Sequence, residues 1–152
     1  MSEKPVNVLV VCTGNICRSP LAHVLLERYS AQRGRRVEVQ SASTLGLDGK
    51  PAHKHSIRVA SEVGLDLSEH ASQPVTEELV EWADYILGMK IMHASKLRSR
   101  FPQADEKILL LGTFGGVHEI DDPIGGWRWK FRKTRDLLDD CVRGFVDRLP
   151  VD

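Results

Sequence analysis

The sequence predicts an α/β fold built on a parallel sheet, and three of its features carry that prediction. Val6-Asn7-Val8-Leu9-Val10-Val11 is a nearly continuous apolar run rich in β-branched residues, the pattern of a strand covered on both faces. Strand-like and helix-like segments then alternate along the chain, as parallel βαβ units require. The last long segment carries an apolar stripe at helical spacing that suits it to close over such a sheet.

The first strand, residues 6–11, leads through a tight loop to Ser19-Pro20. Proline suits a first helical turn, and Leu21, Val24, Leu25 and Tyr29 then recur at helical spacing until Gly34. A second strand is expected over 37–42, followed by an amphipathic helix over 52–63 that stops at Gly64. Leu67-Ser68 reads as the entry to a further segment, and Thr76-Glu77-Glu78-Leu79 has the acidic first turn of a helix start. Asp84-Tyr85-Ile86-Leu87-Gly88-Met89 reads as the third strand. Helical residues over 92–100 end near Phe101-Pro102, and Lys107-Ile108-Leu109-Leu110-Leu111-Gly112 is the fourth strand. From Phe131 onward, Thr134, Leu138, Cys141, Val142, Phe145 and Leu149 step by three or four residues along one face of a terminal helix. There is no internal repeat, low-complexity tract or linker, so a single domain over 1–152 is expected.

Composition narrows the function classes. With 152 residues and 41% apolar content the chain can bury a substantial core. Its 21 Lys and Arg are balanced by 21 Asp and Glu, which argues against disorder and against a nucleic-acid binder that relies on an overall basic field. No run approaches the ~18 apolar residues of a membrane span. Met1-Ser2-Glu3-Lys4-Pro5 lacks the parts of a signal peptide, so a cytoplasmic location and no membrane partner are expected. Three cysteines, Cys12, Cys17 and Cys141, are an odd number without C-x2-C spacing, which speaks against a disulfide framework or a zinc site and for chemistry at one of them.

That chemistry is expected in Cys12-Thr13-Gly14-Asn15-Ile16-Cys17-Arg18-Ser19-Pro20, between the first strand and the first helix, where an α/β fold places its anion site. Backbone N–H groups of Thr13, Gly14, Asn15, Ile16, Cys17 and Arg18 can converge with the positive end of the helix on a phosphate-sized dianion. Helix terminus and Arg18 both favour the thiolate of Cys12, making it a nucleophile. Arg18 offers a planar donor fork for two oxygens of a transferring phosphoryl group. Asp121-Asp122-Pro123-Ile124-Gly125-Gly126, in the loop after the fourth strand, can supply a carboxyl group that protonates a leaving oxygen and then activates water. Read from chemistry alone, the same stretch is equally a solvated turn.

Val11-Cys12-Thr13-Gly14-Asn15-Ile16-Cys17-Arg18-Ser19-Pro20 closely resembles the phosphate-binding loop of the low-molecular-weight protein tyrosine phosphatase family, and Asp122-Pro123 resembles its general-acid loop. Similar stretches run through Ser41-Ala42, Gly49-Lys50-Pro51, Asp66-Leu67-Ser68-Glu69-His70 and Ala83 to Met89. The resemblance implies a three-layer fold, a four-stranded parallel sheet with helices on both faces. It implies Cys12 as nucleophile, Arg18 as phosphoryl-binding residue and Asp122 as acid and then base. Asn15, Ser19, Ser41 and His70 would form the supporting network, and no metal or other cofactor is implied. Phosphorylated proteins or peptides are the implied substrates, a tyrosine kinase a candidate partner, and a monomer or weak dimer the expected state.

The departures from the family concern the substrate. Where members that act on phosphotyrosine commonly have aromatic pocket walls, this chain has Leu45, Leu47, Ile124 and Trp127 as the candidate wall. A related branch that hydrolyses phosphoarginine resembles the chain in Asp122-Pro123-Ile124-Gly125-Gly126 and Lys133-Thr134-Arg135-Asp136, but characteristically carries Thr where Ile16 stands here. Tyrosine is therefore favoured and arginine is the alternative. Thioredoxin-coupled arsenate reductases need further central cysteines, and a non-catalytic phosphopeptide-binding module would not need Cys12, Arg18 and Asp122 together.

Other groups divide between chemistry and packing. Cys17 is either a small buried helix-start residue or a redox partner able to form a reversible disulfide with Cys12. Cys141 falls on the apolar face of the terminal helix and reads as core. His53 and His55 read as surface residues, because no further ligand accompanies them. Arg128, Lys130, Arg132, Lys133 and Arg135 alternate with Trp127, Trp129 and Phe131, then meet Asp136, Asp139 and Asp140. This reads as a solvated helix start rather than a nucleic-acid site, close enough to Asp122 to bias substrates toward acidic peptides.

Overall fold

The computed structural model describes residues 4–149; the first three and last three residues of the expected domain lie outside the described residues. Four parallel strands, β1 (Val6–Cys12), β2 (Val37–Ser43), β3 (Tyr85–Gly88) and β4 (Ile108–Leu110), form one sheet in the order β2-β1-β3-β4. Five helices accompany them: α1 (Arg18–Gln32), α2 (Lys54–Ser61), α3 (Glu77–Trp82), α4 (Ile91–Arg100) and α5 (Arg128–Asp147).

Side-chain alternation along β1 explains why its sequence is apolar throughout. Val8, Val10 and Cys12 join a core formed with α1, α2 and α5, including Leu21, Leu25, Phe131, Leu138 and Phe145. Leu9 and Val11 point to the other face and pack with Val80, Ile86, Ala94, Leu97 and Ile108. The three layers expected from the resemblance are therefore present.

The chain leaves β1 toward β2 on one side and returns to β3 on the other. Such a reversal opens a crevice at the carboxyl ends of the strands, and the loop after β1 lies there.

Local signals set most boundaries. Thr76 caps α3, its Oγ1 accepting from Leu79 N–H at 3.2 Å, and Glu77 and Glu78 occupy the first turn as expected. The helix expected over 52–63 is shorter because His53 caps it, its Nδ1 accepting from His55 N–H at 3.0 Å. His53 and His55 are not plain surface residues either: both are half-buried against the Phe131 ring, with centroids 4.8 and 5.1 Å away. The fourth strand shrinks to three residues since the chain tightens into 3-10 turns at Pro102–Lys107 before it and Leu111–Gly115 after it. Leu67-Ser68 opens neither helix nor strand, and α5 starts at Arg128, one turn earlier than the apolar stripe indicates.

Candidate active site

Peptide planarity decides which way the loop after β1 faces. The carbonyls of Cys12 and Thr13 accept from Thr44 N–H (3.0 Å) and Leu45 N–H (3.1 Å), that of Asn15 from His70 Nε2 (2.7 Å), and that of Ile16 from His53 N–H (2.8 Å). The Cys17 carbonyl accepts from the Ser56 hydroxyl at 3.4 Å. All five therefore point outward to donors from other segments. In a trans peptide the following N–H points the opposite way, so the amides of Thr13, Gly14, Ile16, Cys17 and Arg18 face inward. The start of α1 adds its uncompensated positive end: its cap residue Cys17 provides no side-chain acceptor and its first turn holds no acidic residue. The result is a concave cradle for a phosphate-sized anion.

Asn15 holds the bend. Its φ of 57° is the one positive value among the described non-glycine residues, a conformation that asparagine tolerates better than most. Its backbone N–H donates to Cys12 Sγ at 3.3 Å, its Oδ1 accepts from Gln73 N–H at 3.1 Å, and its Nδ2 donates to Ser19 Oγ at 2.7 Å. Since Ser19 Oγ accepts there, its hydroxyl proton is left to point at Cys12 Sγ, 3.0 Å away. Two donors thus converge on a buried sulfur.

Two histidines brace the loop in their neutral form. His70 donates from Nε2 to the Asn15 carbonyl, and burial pushes its pKa down despite that bond. The fully buried His93 accepts from Lys90 N–H at Nδ1 (3.0 Å), so Nε2 carries the proton and donates to Thr13 Oγ1 at 2.9 Å. Burial first, then the charges of Arg18 and Lys90, lowers its pKa to about 4.

Arg18 is 2% exposed. Its Nη1 donates to the Ile120 carbonyl at 2.9 Å and its Nη2 lies 3.5 Å from Asp122 Oδ2, while its buried Nε has no acceptor in the protein. A phosphoryl oxygen would satisfy that donor. The Asp122 segment is brought over the cradle by Ile120, whose N–H donates to the Met89 carbonyl just past β3. Asp122 Oδ1 accepts from Ile124 N–H at 3.0 Å, which aims the other oxygen at Arg18. The Cys12 sulfur, the Arg18 guanidinium and the Asp122 carboxyl group, up to 110 residues apart in the sequence, therefore meet at one end of the sheet.

Four participants were not foreseen. Ser43, rather than Ser41, reaches the loop: its Oγ donates to the Thr13 carbonyl at 2.6 Å and accepts from Gly46 and Leu47 N–H. Ser41 pairs with Val10, two residues lower, where its hydroxyl meets His23 Nδ1 at 3.2 Å and its carbonyl accepts from Gln73 Nε2. A second strand ending at Ser43 instead of residue 42, opposite Cys12, is the signal that would have found it. Gln73, His93 and Ile120 reach the site through long-range contacts that no local pattern carries.

The candidate pocket wall divides. Leu47 lies beside Gly14 and Ile16, within 3.5 Å of where a Gly14 side chain would start. Leu45 and Ile124 are exposed at the rim, and Trp127, 77% exposed, shares a shallow surface depression with His55, Arg128, Trp129 and Arg132. Cys17 is 3% exposed, its thiol pushed up to about 12 by burial, then by Asp122 and Cys12. Cys141 is a free, fully buried thiol in the core of α5. Among the described residues no group of three or more His, Cys, Asp and Glu could hold a metal ion, and no helix is long and apolar enough to cross a membrane.

The comparisons with known proteins agree over nearly the full length. The sequence profile for low molecular weight phosphotyrosine protein phosphatase matches residues 7–152. A protein-arginine-phosphatase from Geobacillus stearothermophilus is 35% identical over 147 residues, covering 95% of this chain and 97% of that protein. The low molecular weight protein-tyrosine-phosphatase Wzb of Escherichia coli K12 is 36% identical over 143 residues, covering 94% and 95%. The crystal structure of a low molecular weight protein tyrosine phosphatase from T. tengcongensis superposes with a TM-score of 0.90 at 32% identity, over 95% of this chain and 99% of that one. The cradle after β1 and the Asp122 segment above it thus belong to a recognised lineage: the chain is a member of the low molecular weight phosphotyrosine protein phosphatase family.

Proposed function

We propose that the chain is a cytoplasmic protein phosphatase that hydrolyses phosphotyrosine through a phosphocysteine intermediate. The observation that carries this reading is the convergence of two donors on Cys12 Sγ, with the Arg18 guanidinium beside Asp122 at the same end of the sheet. The Cys12 thiolate attacks phosphorus as the bond to the tyrosyl oxygen breaks, and Asp122 delivers a proton to that oxygen. Inward amides and Arg18 hold the equatorial oxygens through the transfer. Ser19 eases the second step by donating to sulfur. The Asp122 carboxylate then takes a proton from water, whose oxygen attacks phosphorus; the S–P bond breaks, and inorganic phosphate and the Cys12 thiolate are released.

Phosphoarginine is the second reading, favoured by the identity to a named protein-arginine-phosphatase. Ile16 weighs against it, since its branched side chain lies against Gly14 in the cradle wall where that branch carries threonine. The reading is tested with two peptides of one sequence bearing phosphotyrosine or phosphoarginine, alongside an aryl phosphate. Expected are faster hydrolysis of the phosphotyrosine peptide and turnover that vanishes in Cys12→Ser while the folded signal stays. A strong preference for phosphoarginine would overturn the substrate assignment, and substantial turnover by Cys12→Ser would overturn the mechanism.

A further inference from the structure

The Asp122 segment continues into a surface that the reaction does not use. Trp127 and Trp129 are 77% and 56% exposed, and Ile124, 53% exposed, precedes them. Solvent-facing tryptophans cost a protein apolar exposure unless something covers them, and clustered ones mark contact sites. Arg128 shares a shallow depression with both tryptophans, and Lys130 and Lys133 line a second one beside Trp129 and the Asp122 turn. Arg132 and Arg135, from the same helix, are paired with Glu62 at 2.6 and 2.9 Å, Arg135 also with Asp136 at 2.9 Å, whereas Arg128, Lys130 and Lys133 have no carboxylate within ion-pair distance among the described residues. Arg128 Nε is also without an acceptor. The result is an aromatic ridge with three uncompensated cations, starting five residues after Asp122.

We propose that this ridge is the docking surface for an acidic segment flanking the phosphorylated residue of a protein substrate. Apolar faces of the tryptophans cover the segment's backbone and side chains, and its carboxylates lie against Arg128, Lys130 and Lys133. The proposal rests on reading the chain as a phosphatase and supplies the substrate character which that reading leaves open. Charge selects the occupant. A second copy related by a twofold axis would set the three cations against their own equivalents. A nucleic-acid strand or an anionic membrane needs a broad basic field, which 21 basic against 21 acidic residues do not supply, whereas a short acidic segment needs only these local cations.

The test uses Trp129→Ser and Arg128→Glu, neither of which touches the cradle. Glutamate in the first turn of α5 also suits the helix electrostatically, so folding is not put at risk. Substrates are phosphotyrosine peptides that differ only in glutamate or lysine flanks, with an aryl phosphate as reference. The full-length enzyme is expected to favour the glutamate-flanked peptide. Each variant should lower kcat/KM for that peptide by about three- to tenfold, mainly through KM, the order expected for one screened ion pair or one exposed aromatic contact. Aryl phosphate turnover should be unchanged, Arg128→Lys should restore the preference, and added salt should erase it.

Indifference to the flanks, or equal losses on the aryl phosphate, would overturn the proposal. So would co-sedimentation with phosphatidylserine vesicles that these variants abolish while peptide kinetics stay unchanged. Tryptophan fluorescence titrated with an unphosphorylated acidic peptide reads ridge binding without turnover. An enzyme that binds this peptide but hydrolyses no phosphate ester keeps the ridge and loses the phosphatase reading.

Discussion

Ser43 serves three backbone groups with one oxygen. It donates to the Thr13 carbonyl and accepts from Gly46 and Leu47 N–H, so it ties the loop after β2 to the cradle. Replacing it with alanine takes the acceptor from the Gly46 and Leu47 amides and leaves the Thr13 carbonyl with Leu45 N–H alone, in a partly buried place, which costs about 1–3 kcal/mol. Ser43→Ala is therefore expected to lower both the unfolding midpoint and, by about tenfold, the kcat for an aryl phosphate. Ser41→Ala, which gives up one bond to His23, should be close to neutral in kcat. Equal effects in the two variants would show that Ser43 does not position the loop. The pair also shows where sequence reading stops. The strand itself is legible, but a boundary one residue short makes Ser41 its last serine, two residues below the level of Cys12. Asn15, Cys12, Arg18 and Ser19 are legible because they lie in one contiguous run; Gln73 and His93 are not, because only folding brings them beside Asn15 and Thr13.

At the scale of elements, α5 meets the 3-10 turn at Leu111–Gly115 with almost no space between backbones. A side chain built on Gly144 would strike the Phe114 carbonyl oxygen. Glycine to alanine inside a helix ordinarily gains about 1 kcal/mol from propensity. Here the clash outweighs the gain, and Gly144→Ala is expected to lose about 1–3 kcal/mol through displacement of the helix. Urea unfolding measures this, and a stabilised variant would show that the turn yields freely. The apolar stripe from Phe131 makes the body of the helix legible, and the basic run from Arg128 reads as its solvated start even though no side chain caps it. Glu62 adds a second restraint, bonding Arg132 and Arg135 and so clamping the end of α2 to α5.

At the scale of the molecule, histidine protonation opposes folding. The pKa values of His53, His70 and His93 all lie below the ordinary 6.5, with burial the largest cause in each case and His93 lowest at about 4. A depressed base binds fewer protons when folded than when unfolded, so stability is complete above about 6.5 and falls as pH drops toward 4. The His93 shift alone is worth on the order of 3 kcal/mol. Glu62 does not contribute in most of that window: hydrogen bonds from Arg132 hold it at about 2, so its contribution persists above 4.5 and is lost only in stronger acid. The melting temperature should therefore decline between pH 6.5 and 4, and His93→Gln should flatten the decline. An unchanged slope in that variant would remove His93 from the account.

The five outward carbonyls of the cradle have a consequence for how the family can diversify. The cradle is made of main-chain amides, and their orientation is enforced from outside by the residues just past β2, the start of α2 and His70. Side-chain identity at Ile16 and at the rim residues Leu45 and Ile124 is thereby released from the duty of holding the anion. Those positions can drift while the cradle stays the same, which fits a scaffold whose named relatives include both a protein-tyrosine-phosphatase and a protein-arginine-phosphatase.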